Sequence, residues 1–188
     1  MNQTQSSTLP RSKTYEITIT ALMTAVTCIL APMSIPIGPV PISFTNLAIY
    51  LSLYLLGWKR GTISYLIYLL IGLVGIPVFS GFTSGPGKLF GPTGGYLIGF
   101  IPLALIAGYF INHFHNKKAL RFLGMILGTA VCYALGTAWL AIQAHMGLSA
   151  ALMAGVIPFL PGDFIKMILA LLIAPQIRKQ LDAAGLAR

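Results

Sequence analysis

The chain holds 188 residues, of which 56% are hydrophobic and 8% charged, with 12 Lys and Arg against 3 Asp and Glu. Soluble domains carry about 25% charged residues, so these few side chains cannot clothe a water-soluble globule, and the mean hydropathy of +0.84 agrees. The net charge of +9 does not indicate nucleic acid, because the basic residues flank apolar runs instead of forming a patch. The expected class is an all-α integral membrane protein, with the lipid bilayer as its surroundings.

Residues 1–12 (MNQTQSSTLPRS) are polar and lack the apolar core and cleavage site of a signal peptide. They are expected to form a flexible cytoplasmic tail ahead of a single membrane domain over residues 13–188. Crossing about 30 Å of hydrocarbon takes about 20 residues, and the pattern predicts six spans. The first covers residues 15–31 and stops at Pro32. The second, residues 46–58, is short, reaching only about 20 Å at about 1.5 Å per residue. The third covers residues 62–79, the fourth 96–113 and the fifth 120–144. The sixth is interrupted: a half-helix over residues 149–156, a break at Pro158 and Pro161, then residues 163–174 before Pro175. No repeat relates the two halves, so an inverted-repeat transporter has no support. Cys28 and Cys132 sit inside apolar runs and read as packing residues.

Loop charges orient the spans. Arg11, Lys13, Lys59, Arg60, Lys117, Lys118, Arg121, Arg178, Lys179 and Arg188 fall on one side, which is 10 of the 12 basic residues. That side is expected to be cytoplasmic, with both termini on it. Glu16 and Asp182 lie there too, leaving Lys88, Asp163 and Lys166 as the outer charges.

The outer connections are unusual. Between the first two spans, APMSIPIGPVPISFTN places Pro32, Pro36, Pro39 and Pro41 within ten residues. That density forbids helix and favours an extended segment, and its isoleucines and Phe44 are too apolar to float in water. It is expected to fold back over the bundle; the plainer alternative is a stiff connector. Between the third and fourth spans, SGFTSGPGKLFGPTGGYL carries six glycines from Gly81 to Gly95, which permit close backbone approach to a ligand. A simple flexible loop is the alternative. Lys88 follows Gly87, but Phe82 stands at the first glycine position of a phosphate-binding loop and Leu89 follows the lysine, so this is not a Walker loop. The fourth helix is expected to start near Thr93, its first amides forming an anion-favouring or polar-ligand edge. In PGDFIK, Asp163 is expected near a helix N-cap with Lys166 on the same face. A lysine there is opposed by the helix dipole. The pair is either a structural ion pair or the polar end of a ligand cavity, the second being usual for ionisable groups within the membrane.

Gly124, Gly128, Cys132 and Gly136 recur every fourth residue of the fifth span, a stripe that lets a neighbouring helix come close. His113 and His115 lie at the cytoplasmic boundary and do not amount to a metal site. Gly147-Leu148-Ser149-Ala150 has the form of an intramembrane serine-protease string, but no histidine follows it to act as base.

Six spans, the proline-rich first loop, FGPTGGYLIGF from Phe90 to Phe100 and PGDFIK from Pro161 to Lys166 together resemble the BioY family, over nearly the whole chain. Its members are biotin-specific S components of energy-coupling factor (ECF) vitamin transporters. The resemblance implies a six-helix bundle with cytoplasmic termini in the plasma membrane. It also implies two kinds of partner, a transmembrane T component and two ABC-type ATPase subunits that hydrolyse ATP. The implied cargo is biotin, with no cofactor and no metal. Biotin has ureido N–H donors and a carbonyl, an apolar thioether ring and a carboxylate tail. Asp163 is the expected acceptor for a ureido N–H and Lys166 the expected cation for the carboxylate, roles that could be exchanged. Phe90, Gly91, Thr93, Gly94 and Tyr96 are expected to supply backbone surface, a hydroxyl and aromatic walls, and Thr45 and Asn46 polar contacts. Ala21 and Ala25 match the family's AxxxA motif for docking the T component, in a stripe with Thr18 and Cys28. Two rivals stand beside this reading. A self-sufficient secondary transporter or facilitator for a small anionic solute would move substrate without an ATPase. A membrane enzyme acting on a vitamin or lipid would need a nucleophile, a base or a metal cluster, and only one carboxylate lies on the outer side.

Overall fold

The computed structural model describes residues 13–183 except Gly38. The polar tail of residues 1–12, with its Arg11, and the terminal Arg188 lie outside the described residues. In chain order the elements are α1 (Lys13–Leu30), β1 (Ser34–Ile37), β2 (Val40–Ser43), α2 (Thr45–Leu56), α3 (Trp58–Leu73), α4 (Pro86–Leu89), α5 (Gly94–His113), α6 (Lys118–Gln143), α7 (Leu148–Gly155) and α8 (Leu160–Ala183). Of these, α5, α6 and α8 are each long and apolar enough to cross a membrane.

The surface inverts the pattern of a soluble protein. Ile17, Leu22, Ile29, Leu70, Ile142, Ile165 and Leu172 are exposed, while Thr24, Thr27, Ser64, Thr129, Thr137, Asp163 and Lys166 are buried. Hydrocarbon outside makes apolar exposure harmless, and polar groups must then find partners within the bundle. Thr24 does so across the α1–α3 contact, its hydroxyl 3.0 Å from that of Ser64. At the other end of α1, Glu16 pairs with Arg60 of α3.

The glycine stripe of α6 forms the closest seam. A Cβ on Gly124 would stand 2.2 Å from the Phe110 side chain, one on Gly128 2.9 Å from the Leu103 carbonyl, and one on Gly136 2.2 Å from the Tyr96 ring. The packing is reciprocal: a Cβ on Gly95 of α5 would meet Trp139 at 2.2 Å and one on Gly99 would meet Cys132 at 3.1 Å.

Three expectations need correction. The fold is not wholly helical, because the proline-rich segment forms an antiparallel hairpin in which Ser34 faces Ser43 and Pro36 faces Pro41. Pro36 and Pro41 can donate nothing to the ladder. Val40 is buried in compensation, and β2 is tied to α8 by a bond described below. The third helix ends at Leu73 and not near Phe79. Gly75, at φ +112°, turns the chain, with its amide on the Gly72 carbonyl and the Ile76 amide on Ile71, the Schellman arrangement that closes a helix. The last helix starts at Leu160 and runs through Pro175 to Ala183. Pro161 lies in its first turn, where no amide bond is lost. The break falls between α7 and α8, and Pro175 does not end the helix.

Candidate functional site

At one end of the bundle, β2, α2, α5, α6, α7 and α8 enclose a cavity of about 650 Å³, open space at its mouth included. Sequence order explains who reaches it. Thr45 and Asn46 open α2 immediately after the hairpin, Thr93 and Tyr96 stand at the start of α5, and Asp163 and Lys166 occupy the first two turns of α8. Leu97, Phe100, Leu103 and Phe159 give the cavity apolar walls.

The chemistry centres on one carboxylate. Asp163 Oδ1 accepts from Lys166 Nζ at 2.9 Å, and Asp163 Oδ2 accepts from the Tyr133 hydroxyl at 2.7 Å. Lys166 donates again to the Ser43 carbonyl at 2.7 Å, joining β2 to α8, and its ammonium lies 5.8 Å from the Phe44 ring centroid. The side chains of the pair keep only 8% and 10% of their exposure. Burial of this kind is tolerable only for a paired and hydrogen-bonded charge. Each carboxylate oxygen still has a free lone pair and the ammonium a third N–H, so the pair can engage a ligand without being broken. Asp163 is not the cap of its helix. Its own amide bonds to the Phe159 carbonyl inside the first turn, which turns the side chain toward α6.

Around the pair, the Tyr50 hydroxyl lies 2.6 Å from that of Thr129, and Thr45 lies 2.9 Å from Ser43. The Asn46 side-chain oxygen accepts the Leu47 amide at 3.1 Å, leaving its NH₂ group without a protein partner among the described residues. Tyr96 presents its ring to the cavity while its hydroxyl is held by Thr137 at 3.2 Å and the Gly155 carbonyl at 3.1 Å.

Of the residues singled out in the sequence, Thr45, Asn46, Thr93, Tyr96, Asp163 and Lys166 therefore converge on one cavity. Phe90, Gly91 and Gly94 do not line it. Phe90 is 61% exposed, the Gly91 carbonyl accepts from Trp139 Nε1 at 3.0 Å, and a Cβ on Gly94 would stand 1.6 Å from the Leu89 carbonyl. They shape the α4–α5 junction behind the wall. Lys88, half-buried on α4, also stays outside the cavity; burial lowers its pKa. Ser43, Tyr50, Thr129 and Tyr133 escaped notice in the sequence. The last three are ordinary residues in apolar helices, and their spacing carries no signal. Ala21 and Ala25 do not line the cavity; exposed on α1, they line a groove shared with Ile63, Ile67 and Ile71 of α3.

Comparison with known proteins agrees along the chain. A family model described as BioY family matches residues 1–183. The probable biotin transporter BioY of Pyrococcus horikoshii is 37% identical over 166 residues, 88% of this chain and 98% of that one. The biotin transporter BioY of Thermotoga maritima is 38% identical over 84% of this chain and 92% of its own. A crystal structure of the S-component for biotin from an ECF-type ABC transporter superposes with a TM-score of 0.82 at 34% identity, covering 89% of this chain and 92% of that one. With sequence and fold in accord over nearly their full lengths, the chain belongs to the BioY family.

Proposed function

We propose that this chain is a high-affinity biotin-binding S component that captures biotin from outside the cell. It then delivers biotin inward with a T component and two ABC-type ATPase subunits, on which ATP is hydrolysed. The observation that carries the reading is the buried Asp163–Lys166 pair, held by Tyr133 and Ser43 in a cavity that also offers apolar walls. Biotin matches that distribution. A ureido N–H donates to a free lone pair of Asp163 and Lys166 meets the carboxylate; because the two side chains are 2.9 Å apart, the alkyl tail folds back over the thioether ring, against Leu97, Phe100, Leu103 and Phe159. The ion pair is neutral, so the anionic ligand brings a charge that the third ammonium N–H can answer. The Asn46 NH₂ group and the Thr93 hydroxyl add donors, while Gly91, Gly94 and Phe90 back the wall against which Tyr96 stands.

In this reading α1, α2, α3, α5, α6 and the α7–α8 pair are six crossings of the plasma membrane, with both termini cytoplasmic. The basic residues at the end opposite the cavity support that orientation. Ala21 and Ala25 offer a flat patch to the T component; their exposure means the bundle does not use them for its own packing.

The test is titration calorimetry of the purified chain with biotin and with biotin amide, which lacks the carboxylate's charge. A hydrogen bond to a charged group contributes about 1.5–3 kcal/mol. Asp163→Asn and Lys166→Met should therefore each weaken biotin binding about ten- to a hundredfold. Lys166→Met should also lose most of the preference for biotin over the amide, whereas Asp163→Asn should keep it. Wild-type affinity in both variants would reduce the pair to a structural ion pair. Loss of the preference in Asp163→Asn alone would reverse the ligand in the site.

A further inference from the structure

The end of the bundle opposite the cavity holds a second built pocket. Tyr54 closes α2, Arg121 stands in the first turn of α6, and Arg178, Lys179 and Asp182 follow one another near the end of α8, with His115 at the rim. The two arginines grip Tyr54 from different helices. Arg178 Nη1 donates to the Tyr54 carbonyl at 3.0 Å, answering an otherwise orphaned carbonyl at the helix end. The Arg121 guanidinium lies 5.7 Å from the centroid of the Tyr54 ring.

Two donors remain over. The Tyr54 hydroxyl belongs to a residue only 3% exposed, and it and Arg121 Nε are buried with no hydrogen-bond partner among the described residues. A buried donor without an acceptor is costly. The charge is also only partly compensated: Arg121, Arg178 and Lys179 share the pocket with one carboxylate, Asp182. Among the described residues the ion pairs are Arg60–Glu16 and Lys166–Asp163, so neither Arg121, Arg178 nor Lys179 has a carboxylate partner. What is missing is a compact anion with several acceptor oxygens, the description of a phosphate group. Planar guanidinia fixed on a common aromatic residue suit its oxygens. Both α6 and α8 are helices able to cross the membrane, and the pocket lies at their ends, where lipid headgroups sit. Basic pockets between helices at this level bind anionic headgroups.

We propose that this pocket seats the phosphate of an anionic phospholipid, with Tyr54 and Arg121 donating to its oxygens and Arg178 and Lys179 supplying charge. The site is separate from the ligand cavity and does not depend on what that cavity binds. Purified chain, delipidated in a neutral detergent, is to be melted with phosphatidylglycerol, phosphatidylcholine or inorganic phosphate. Native mass spectrometry should follow retained lipid, and biotin binding should be measured alongside. The wild type should retain phosphatidylglycerol about tenfold better than phosphatidylcholine and melt higher with it, and inorganic phosphate should not protect. Tyr54→Phe removes only the unpartnered hydroxyl. In lipid-free detergent it should melt like the wild type or higher, yet lose about tenfold in phosphatidylglycerol retention. Arg121→Gln should lose the preference too, and Lys59→Gln at the same end should keep it. Equal retention of the two lipids, or an intact preference in Tyr54→Phe and Arg121→Gln, would overturn the site. So would a destabilised lipid-free Tyr54→Phe, which would make the hydroxyl structural. Equal protection by inorganic phosphate would replace the lipid by a soluble anion. Loss of partner-subunit capture with lipid preference unchanged would assign the pocket to an acidic protein surface. Unchanged biotin binding in these variants would separate every such outcome from the reading of the cavity.

Discussion

Two stripes of small residues, alike in spacing, meet opposite fates. On α6, Gly124, Gly128 and Gly136 are filled by Phe110, Leu103 and Tyr96 of α5, so closely that no Cβ fits at any of them without displacing a neighbour. On α1, Ala21 and Ala25 remain uncovered although the helix packs beside them, because α1 meets α3 through Thr24 and Ser64 on a different face. The difference lies in what stands opposite. A flat helix face draws in a neighbour wherever the chain supplies one with large side chains at matching heights. Where it supplies none, the face stays available to another protein. Spacing alone announces a close approach but does not say whether the visitor belongs to the same chain.

The comparison can be broken at either stripe. Gly136→Leu should do the most damage. The Tyr96 ring in its way is buried and its hydroxyl is held by Thr137 and the Gly155 carbonyl, so it cannot swing aside. A loss of about 3 kcal/mol is expected, read as a lower melting temperature in detergent, and biotin binding should fall with it because Tyr96 lines the cavity. A variant that melts like the wild type would show the seam to be loose. Ala25→Trp, and equally Ala21→Trp, should act in the opposite sense. Stability should stay within about 0.5 kcal/mol and biotin binding should persist, while co-purification with the T component and cellular uptake disappear. An intact complex carrying the tryptophan would close the argument against docking there. Gly99→Ala is the gentlest probe. Its Cβ would press on the Cys132 backbone and sulfur at 3.1 to 3.2 Å, at a cost of about 1 kcal/mol, a small but measurable drop in melting temperature with assembly unaffected.

Much of this was legible in the residues. The membrane class follows from charge scarcity, and the helical core regions follow from apolar runs. Asp163 and Lys166 drew attention because ionisable groups are rare in such surroundings. What escaped has physical reasons. The proline-rich segment reads as an extended stretch folded back over the bundle, but its pairing with itself, Ser34 opposite Ser43, and its tie to Lys166 of α8 leave no mark in its composition. Gly75 stops α3 through a positive φ, and with Pro77 two residues on it marks a helix end, a signal hidden by the apolar run that continues to Phe79. Pro175 reads as a terminator, but a membrane helix can carry a proline where neighbouring groups satisfy the freed carbonyl. Tyr133 became visible only through its bond to a residue 30 positions away.

The bond from Lys166 to the Ser43 carbonyl, bridging 123 positions of sequence, bears on biogenesis. The hairpin leaves the ribosome well before its anchor, with α2, α3, α5, α6 and α7 made in between. Segments synthesised first generally fold first, but the wall that β2 contributes cannot be pinned until α8 has entered the bilayer. Until then the hairpin lacks this tether. A nascent chain arrested short of Lys166 therefore lacks the ammonium that ties β2 to α8 and pairs with Asp163.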